Sequence, residues 1–371
     1  MALMANYDLR IAQQGKNDEF YTQFRDIEAE MNAYLDYNPN VFRDKTILLP
    51  CDDPEWSNFT KYFALKFEAL GIKKLISTSY APECKKMVLG GLFSEYERNS
   101  PQFDADKSRT HGKIFVLDRD VTGDGRINID DLQWHYLDGD GDFRSPEVTA
   151  LRDEADIIIT NPPFSLFRDF LAWIIEADKQ FIIIGNMNAI TYKETFPLIM
   201  ENKMWMGYTI HSGDREFEVP KEYPVTAAGW RIDESGRKFI RVKGVRWFTN
   251  IEHGRRHEML PLMPMADNLR YSRHKELKGK TDYDRYDNYD AIEVPFTDAI
   301  PSDYDGVMGV PISWLDKYCP EQFEIVGITE NPLTSINPNI HMLILPDASK
   351  YDRPYINGRR SYPRILIRKK R

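Results

Sequence analysis

Apolar residues in the first half of the chain recur in two rhythms. Phe24, Ile27, Met31, Tyr34 and Leu35 fall at helical spacing, as do Phe59, Tyr62, Phe63, Phe67 and Leu70, after which Gly71 ends the pattern. Short apolar runs separate the helices: Thr46–Leu49, Lys74–Thr78, Lys113–Leu117, Asp156–Thr160 and Phe181–Ile184. The unbroken runs are what strands look like when both sheet faces are covered. Ser145-Pro146 reads as the N-cap and first residue of a helix reaching about Ala155. Leu166, Phe167, Phe170, Leu171, Ile174 and Ile175 form the next helical stripe. Alternating strands and helices predict an α/β fold with a doubly wound, mostly parallel sheet.

Beyond about residue 205 the rhythm changes. Lys238 to Thr249 alternates like strands around Gly244, and basic loops, a Tyr/Asp-rich stretch from Tyr283 to Tyr289 and several prolines follow. We place a boundary near residue 250. Residues 1–250 then form the larger domain, with an acidic insert at about 118–145, and residues 251–371 a smaller, less regular region.

The charge balance is −9, which at first argues against a polyanionic partner. Its distribution changes that picture. Arg231 to Lys280 holds 13 basic and 6 acidic residues, and Arg353 to Arg371 holds 8 basic residues and no acid. Acid concentrates in Asp118 to Asp156, with 12 acidic and 4 basic residues. Such a chain can be acidic as a whole and still offer a basic face to phosphates; the same segments also suit solvated faces. Met1 to Phe20 is polar, without the apolar region of a secretory signal, and no apolar run approaches the roughly 20 residues that span a bilayer. Three widely spaced cysteines, Cys51, Cys84 and Cys319, point to a reducing compartment and to no Cys-type zinc site. The expectation is a cytoplasmic protein with no membrane partner, acting as a monomer or weak dimer.

Asn161-Pro162-Pro163-Phe164 follows directly on the Asp156–Thr160 strand. Open α/β sheets bind ligands at the carboxyl ends of their strands, where this tetrapeptide falls. Two prolines fix the backbone and leave carbonyls with no local N–H competing for them. The Asn161 side-chain oxygen and the Pro162 carbonyl suit the two hydrogens of an amino group, and Phe164 offers a stacking face. A rigid turn opening a helix is the alternative. Lys16 to Thr22 precedes the first helix; Tyr21 and Thr22 there are candidates for contacting a small ligand, or Thr22 is simply an N-cap. In Asp138-Gly139-Asp140-Gly141-Asp142-Phe143, Asp142 can accept a hydrogen bond from an adenine amino group while Phe143 packs on the ring; an acidic turn is the plain alternative. Asp120, Thr122, Asp124 and Asp131 fall at positions 1, 3, 5 and 12 of an EF-hand-like loop, which makes a structural calcium ion an expectation. His253 and His257 flank Arg255 and Arg256, better suited to a phosphate-facing loop than to zinc.

Together these segments resemble the amino-methyltransferases, and most closely the EcoRI-type adenine-specific DNA methyltransferases. The resemblance runs through Lys16–Gln23, Leu49–Phe59, Gly139–Ser145, Asp156–Phe164, Trp247–Asn250, Asp287–Val294, Asp303–Pro311 and Pro320–Phe323. It implies a Rossmann-like methyltransferase sheet that binds S-adenosylmethionine, then a catalytic loop, then a target-recognition region towards the C-terminus. It further implies transfer of a methyl group to N6 of a flipped adenine in double-stranded DNA, in restriction-modification or phage and host DNA protection. On this resemblance Asn161, Pro162, Pro163 and Phe164 are catalytic. Phe20, Tyr21, Thr22, Pro50, Cys51, Asp52, Asp142 and Phe143 then hold the cofactor. RNA adenine or protein glutamine is the alternative substrate for the same loop. Two departures stand out. Pro50-Cys51-Asp52-Asp53 replaces the Gly-rich turn after the first strand, and Ser77, Thr78 and Ser79 stand where many relatives carry a ribose-binding acid. A sulfonium ligand has no phosphates to cradle, so the missing glycines are not prohibitive.

Overall fold

Short isoleucine-rich runs become strands because their β-branched side chains fill a surface covered on both sides. The computed structural model describes residues 22–52, 57–81, 100–209, 214–219, 229–330, 338–348 and 353–370. The chain divides into two compact units, Met1–Ala189 with Gly207–Glu252, and Ile190–Met206 with His253–Arg371.

The described strands of the first unit are β1 (Thr46–Leu49), β2 (Lys74–Ser79), β3 (Lys113–Leu117), β4 (Gln133–Tyr136), β5 (Ile157–Thr160), β6 (Gln180–Asn186), β7 (Asp214–Val219), β8 (Trp230–Ile232), β9 (Lys238–Lys243) and β10 (Val245–Thr249). Seven of them lie side by side in the order β4-β3-β2-β1-β5-β6-β10. The four central strands pair in parallel. Both flanks are antiparallel, β3 on β2, β4 on β3 and β10 on β6. The parallel character expected from the sequence therefore belongs to the centre of a Rossmann-like sheet. No helix intervenes between β3 and β4 that would make a parallel crossover, so they pair as antiparallel neighbours.

Helices α1 (Phe24–Tyr37), α2 (Asn58–Leu65), α3 (Pro146–Glu154) and α4 (Phe167–Glu176) accompany this sheet. Ile27, Met31 and Tyr34 of α1 and Phe59, Tyr62 and Phe63 of α2 join Ile47, Leu49, Ile157 and Ile159 in one core. The Ser145 hydroxyl accepts from the Val148 N–H, and Pro146 stands in the first turn of α3, as the sequence predicts. The helix expected through Leu70 breaks at Lys66 into α2 and one further turn, Phe67–Leu70, closed by Gly71 at φ +65°. Gly244, at φ +71°, turns β9 into β10. The two halves of the alternating Lys238–Thr249 segment thus serve different sheets, since β9 sits centrally in a separate antiparallel set ordered β7-β9-β8.

In the second unit β11 (Ile292–Glu293), β12 (Met308–Val310), β13 (Phe323–Ile328) and β14 (Ile365–Lys369) are ordered β11-β12-β14-β13. The basic C-terminal segment is therefore an interior strand, and Ile365, Leu366 and Ile367 are fully buried. Arg364 pairs with Glu293, Arg368 with Glu324 at 3.0 Å, Lys369 with Asp305 at 3.8 Å and Arg353 with Glu330 at 2.7 Å. This corrects the expectation that residues 353–371 form a phosphate-facing tail: much of their charge is met by acids of the same unit. The His253–His257 loop is likewise turned inward. His253 is buried with Nε2 2.9 Å from Met206 O, and the buried Arg256 guanidinium lies 3.8 Å from the Trp205 ring centre. Among the described residues no helix is long and apolar enough to cross a membrane.

Candidate active site

β1 and β5 are parallel neighbours, in register at Ile47 with Ile157 and Leu48 with Ile158. The segments that follow them, Pro50–Asp52 and Asn161–Phe164, therefore leave the sheet side by side at its carboxyl edge. One hydrogen bond records this directly: the Thr160 hydroxyl donates to Asp52 Oδ2 at 2.5 Å. Asn161, Pro162 and Pro163 are buried, and Asn161 keeps only 5% of its surface. Phe164 is half-buried against the core and opens a short 3₁₀ turn, Phe164–Leu166, that leads into α4. A buried asparagine at a strand end is costly unless its polar atoms serve a purpose.

Pro50 and Asp52 are fastened to the next strand. The Thr78 hydroxyl donates to Pro50 O at 3.1 Å, and the Asp52 N–H donates to Thr78 O at 3.1 Å. Ser57 donates to Asp52 Oδ1 at 2.7 Å and caps α2 by accepting from the Phe59 N–H. Cys51 is a free thiol, half-buried between these anchors.

The Asp138–Asp142 loop reaches the same edge. The Ala81 N–H donates to Asp140 O at 2.7 Å and the Gly112 N–H to Gly139 O at 2.9 Å, which holds the loop against the end of β2. Gly141 has φ +82°, and a Cβ there would stand 2.2 Å from Ser79 O, so no side chain fits. An acidic loop is thus delivered to the strand end that lacks an acid in its own sequence. Asp142 is bound by Arg144 through Nε at 2.9 Å and Nη2 at 2.7 Å. That contact holds the Arg144 guanidinium charged more firmly than usual. Phe143 lies in the core, edge-on to Phe170 at 5.0 Å and Trp173 at 5.5 Å. The structure therefore places the ring among α4 side chains, whereas the sequence reading has it packing on a ligand.

Thr22 lies just before α1 and is not its N-cap; Gln23 holds that position, without a side-chain cap. Asn58, the first residue of α2, donates to Thr22 O at 2.8 Å and ties this segment to the helix that follows β1. The Thr22 hydroxyl is buried with no hydrogen-bond partner. An orphaned buried hydroxyl of this kind is the mark of a polar ligand site. Phe20 and Tyr21 lie outside the described residues. Sequence reasoning missed Ser57, Ser77 and Thr160, whose only signal was a hydroxyl residue at each of three neighbouring chain turns.

The expected calcium loop takes another form. Asp120 accepts from Gly123 N–H at 2.5 Å and Gly125 N–H at 2.8 Å, and Asp124 accepts from Arg126 N–H. Asp131 accepts from the Val121, Thr122 and Asn128 N–H groups. The backbone amides of Thr122 and Asn128 hold the Asp131 carboxyl down at about 2. Among the described residues no three His, Cys, Asp or Glu side chains are grouped to hold a metal ion. The oxygens of Asp120, Asp124 and Asp131 that the spacing assigned to calcium are turned onto backbone amides, and the Thr122 hydroxyl donates to Asp120 at 3.3 Å. Calcium is accordingly expected to leave the thermal midpoint unchanged; a midpoint that climbs with added calcium would restore the ion.

An open α/β sheet carrying Asn-Pro-Pro-Phe at the carboxyl end of a central strand is the layout of a Rossmann-like methyltransferase. The family model described as adenine-specific methyltransferase EcoRI matches residues 8–370, and the chain belongs to that family. It is 41% identical over 367 residues to the type II methyltransferase M.EcoRI of Escherichia coli, covering 98% of this chain and 96% of the relative. It is 32% identical to the type II methyltransferase M.MpnI of Mycoplasma pneumoniae, over 97% of both chains. A third relative, the type II methyltransferase M.MgeORF184P of Mycoplasma genitalium, is 31% identical over 96% of this chain and 97% of its own. No solved structure gives a significant match.

Proposed function

We propose that the protein is an S-adenosylmethionine-dependent DNA methyltransferase that modifies N6 of adenine in double-stranded DNA, in a restriction-modification or DNA-protection setting in the bacterial cytoplasm. The observation that carries this reading is the buried Asn161–Phe164 loop at the end of β5, beside Pro50–Asp52 at the end of β1. When bound, S-adenosylmethionine supplies an electrophilic methyl group on a sulfonium. The residues to hold it are Thr22, Pro50, Cys51, Asp52 and the Asp142 loop, with Phe20 and Tyr21 adjoining. The orphaned Thr22 hydroxyl fits the charged methionine end of such a ligand.

Adenine N6 is a poor nucleophile because its lone pair is delocalised into the ring. The Asn161 side-chain oxygen and the Pro162 carbonyl accept its two hydrogens, localise the lone pair, and stabilise the positive charge that develops as the new bond forms. The proton then leaves to water, and no strong base is required. Phe164 stacks on the base once it has left the duplex. In this reading the first unit carries cofactor and chemistry, and the second reads the target. Exposed Arg270, Arg273, Lys275 and Lys278 of the second unit are its candidates for phosphate contact.

Methyl-labelled S-adenosylmethionine, incubated with the protein and unmodified duplex DNA, tests the reading. Label should appear in N6-methyladenine after digestion to nucleosides; label in RNA or protein alone would refute it. Calorimetry tests the cofactor site. Thr22→Val should weaken S-adenosylmethionine binding by about tenfold or more, the size of a lost hydrogen bond to a charged group. Asp142→Ala should weaken it as well. Unchanged affinity in both variants would move the site elsewhere.

A further inference from the structure

The Asp52 carboxylate has no part in the proposed methyl transfer, yet it is nearly inaccessible, with 6% of its residue surface exposed. Around it Ser57, Thr60, Ser77, Thr78 and Thr160 are all buried. Ser57, the N-cap of α2, donates to Asp52 Oδ1, and Thr160 donates to Oδ2. The Ser77 hydroxyl donates to the Asp52 backbone carbonyl and lies 2.9 Å from the Thr60 hydroxyl on α2. One carboxylate thus joins the ends of β1 and β5 to the start of α2, and its own carbonyl and amide join the end of β2.

Thr160 is the residue directly before Asn161. We infer that Asp52 is a positioning residue: by holding the Thr160 hydroxyl it fixes where β5 ends and so where Asn161 and Pro162 present their acceptors. The physical case is one of pre-organisation. An acceptor acts on a developing charge only if it is in place beforehand, and a displacement of about 1 Å costs about 10²-fold in rate. A buried carboxylate held by two hydroxyls is expensive to keep charged unless the network is retained for its geometry. A bare apolar turn at this edge would satisfy the fold at lower cost. The inference rests on the functional reading above, since it concerns the same loop.

Thr160→Val removes the donor and keeps the shape of the side chain, and Thr160→Ser keeps the donor. With the full-length protein and duplex DNA, Thr160→Val should lower the single-turnover rate of methyl transfer about tenfold or more. Its calorimetric affinity for S-adenosylmethionine and its melting temperature should stay close to wild type. Thr160→Ser should restore most of the rate. Asp52→Asn should slow the wild type but add little in the Thr160→Val background, because both changes break one connection. The inference is overturned if Thr160→Val transfers at the wild-type rate, or if Thr160→Ser is as slow as Thr160→Val. It is also overturned if rate, affinity and melting temperature fall together in every variant, which would make the network structural only. A wild type that transfers nothing to DNA sinks the functional reading; an active wild type matched by Thr160→Val sinks this inference alone.

Discussion

Asn161→Ala is expected to cut single-turnover methyl transfer by about 10²–10³, the loss seen when one preorganised dipole is removed from a transition-state site. S-Adenosylmethionine binding should be largely retained. The asymmetry follows from when the interaction acts. The side-chain oxygen meets a weakly polar amino group in the ground state and a positive nitrogen in the transition state, so its loss falls mainly on the rate. The change should be tolerated by the fold, because Asn161 stands after the last residue of β5 and alanine leaves the Ile157–Thr160 ladder intact. Phe164→Ala should behave differently. Its half-buried ring offers a stacking face worth about 1–3 kcal/mol per base, so DNA capture should weaken together with the rate. Phe164→Trp should keep much of the activity. Single-turnover kinetics over a range of duplex concentrations separates the two effects. Near wild-type transfer by Asn161→Ala would rule out the proposed chemistry.

The second large effect lies far from the catalytic loop. Arg364→Ala should destabilise the second unit by about 3–5 kcal/mol, the cost of leaving one member of a buried ion pair alone. Arg364 holds Glu293 through Nε at 3.0 Å and also through Nη2, and their side chains are only 12% and 8% exposed. The Tyr286 hydroxyl also donates to Glu293, and burial pushes that phenol well above its usual pKa. Tyr286 in turn leaves no room for a side chain at Gly309 on β12. Removing residues 359–371 should be more damaging, since β14 pairs with both β12 and β13. Urea unfolding followed by tyrosine and tryptophan fluorescence reads both changes. A truncated protein that unfolds at the wild-type midpoint would contradict the interior position of β14.

The central strands were readable from sequence because burial on both faces leaves an uninterrupted apolar run, as in Ile157–Ile159. The catalytic loop was readable for a related reason: Asn-Pro-Pro-Phe directly follows such a run. What sequence did not disclose depends on partners far along the chain. Thr160 and Asp52 are 108 residues apart, and neither position alone distinguishes a latch from an ordinary strand end. The C-terminal segment looked like a basic tail because a local charge count omits Glu293 and Glu324, which lie 71 and 44 residues from the arginines they meet. The Asp120–Asp131 loop misled for a subtler reason. Oxygen-bearing residues at alternate positions with glycines at φ +77° and +81° suit a chain that wraps a cation, and equally one whose carboxylates hold its own amides. Spacing alone does not separate the two. The missing acid at the end of β2 was a true feature of the local sequence, but tertiary structure brings the Asp138–Asp142 loop there from elsewhere.

The central claim is that the Asn161–Phe164 loop methylates adenine N6 in duplex DNA. Modification-sensitive sequencing of DNA from cells expressing the wild-type protein or Asn161→Ala tests it most directly. The account predicts N6-methyladenine at one fixed sequence context with the wild type and none above background with Asn161→Ala. Unmodified DNA with the wild type, a modified base other than adenine, or equal adenine modification by both proteins would contradict it.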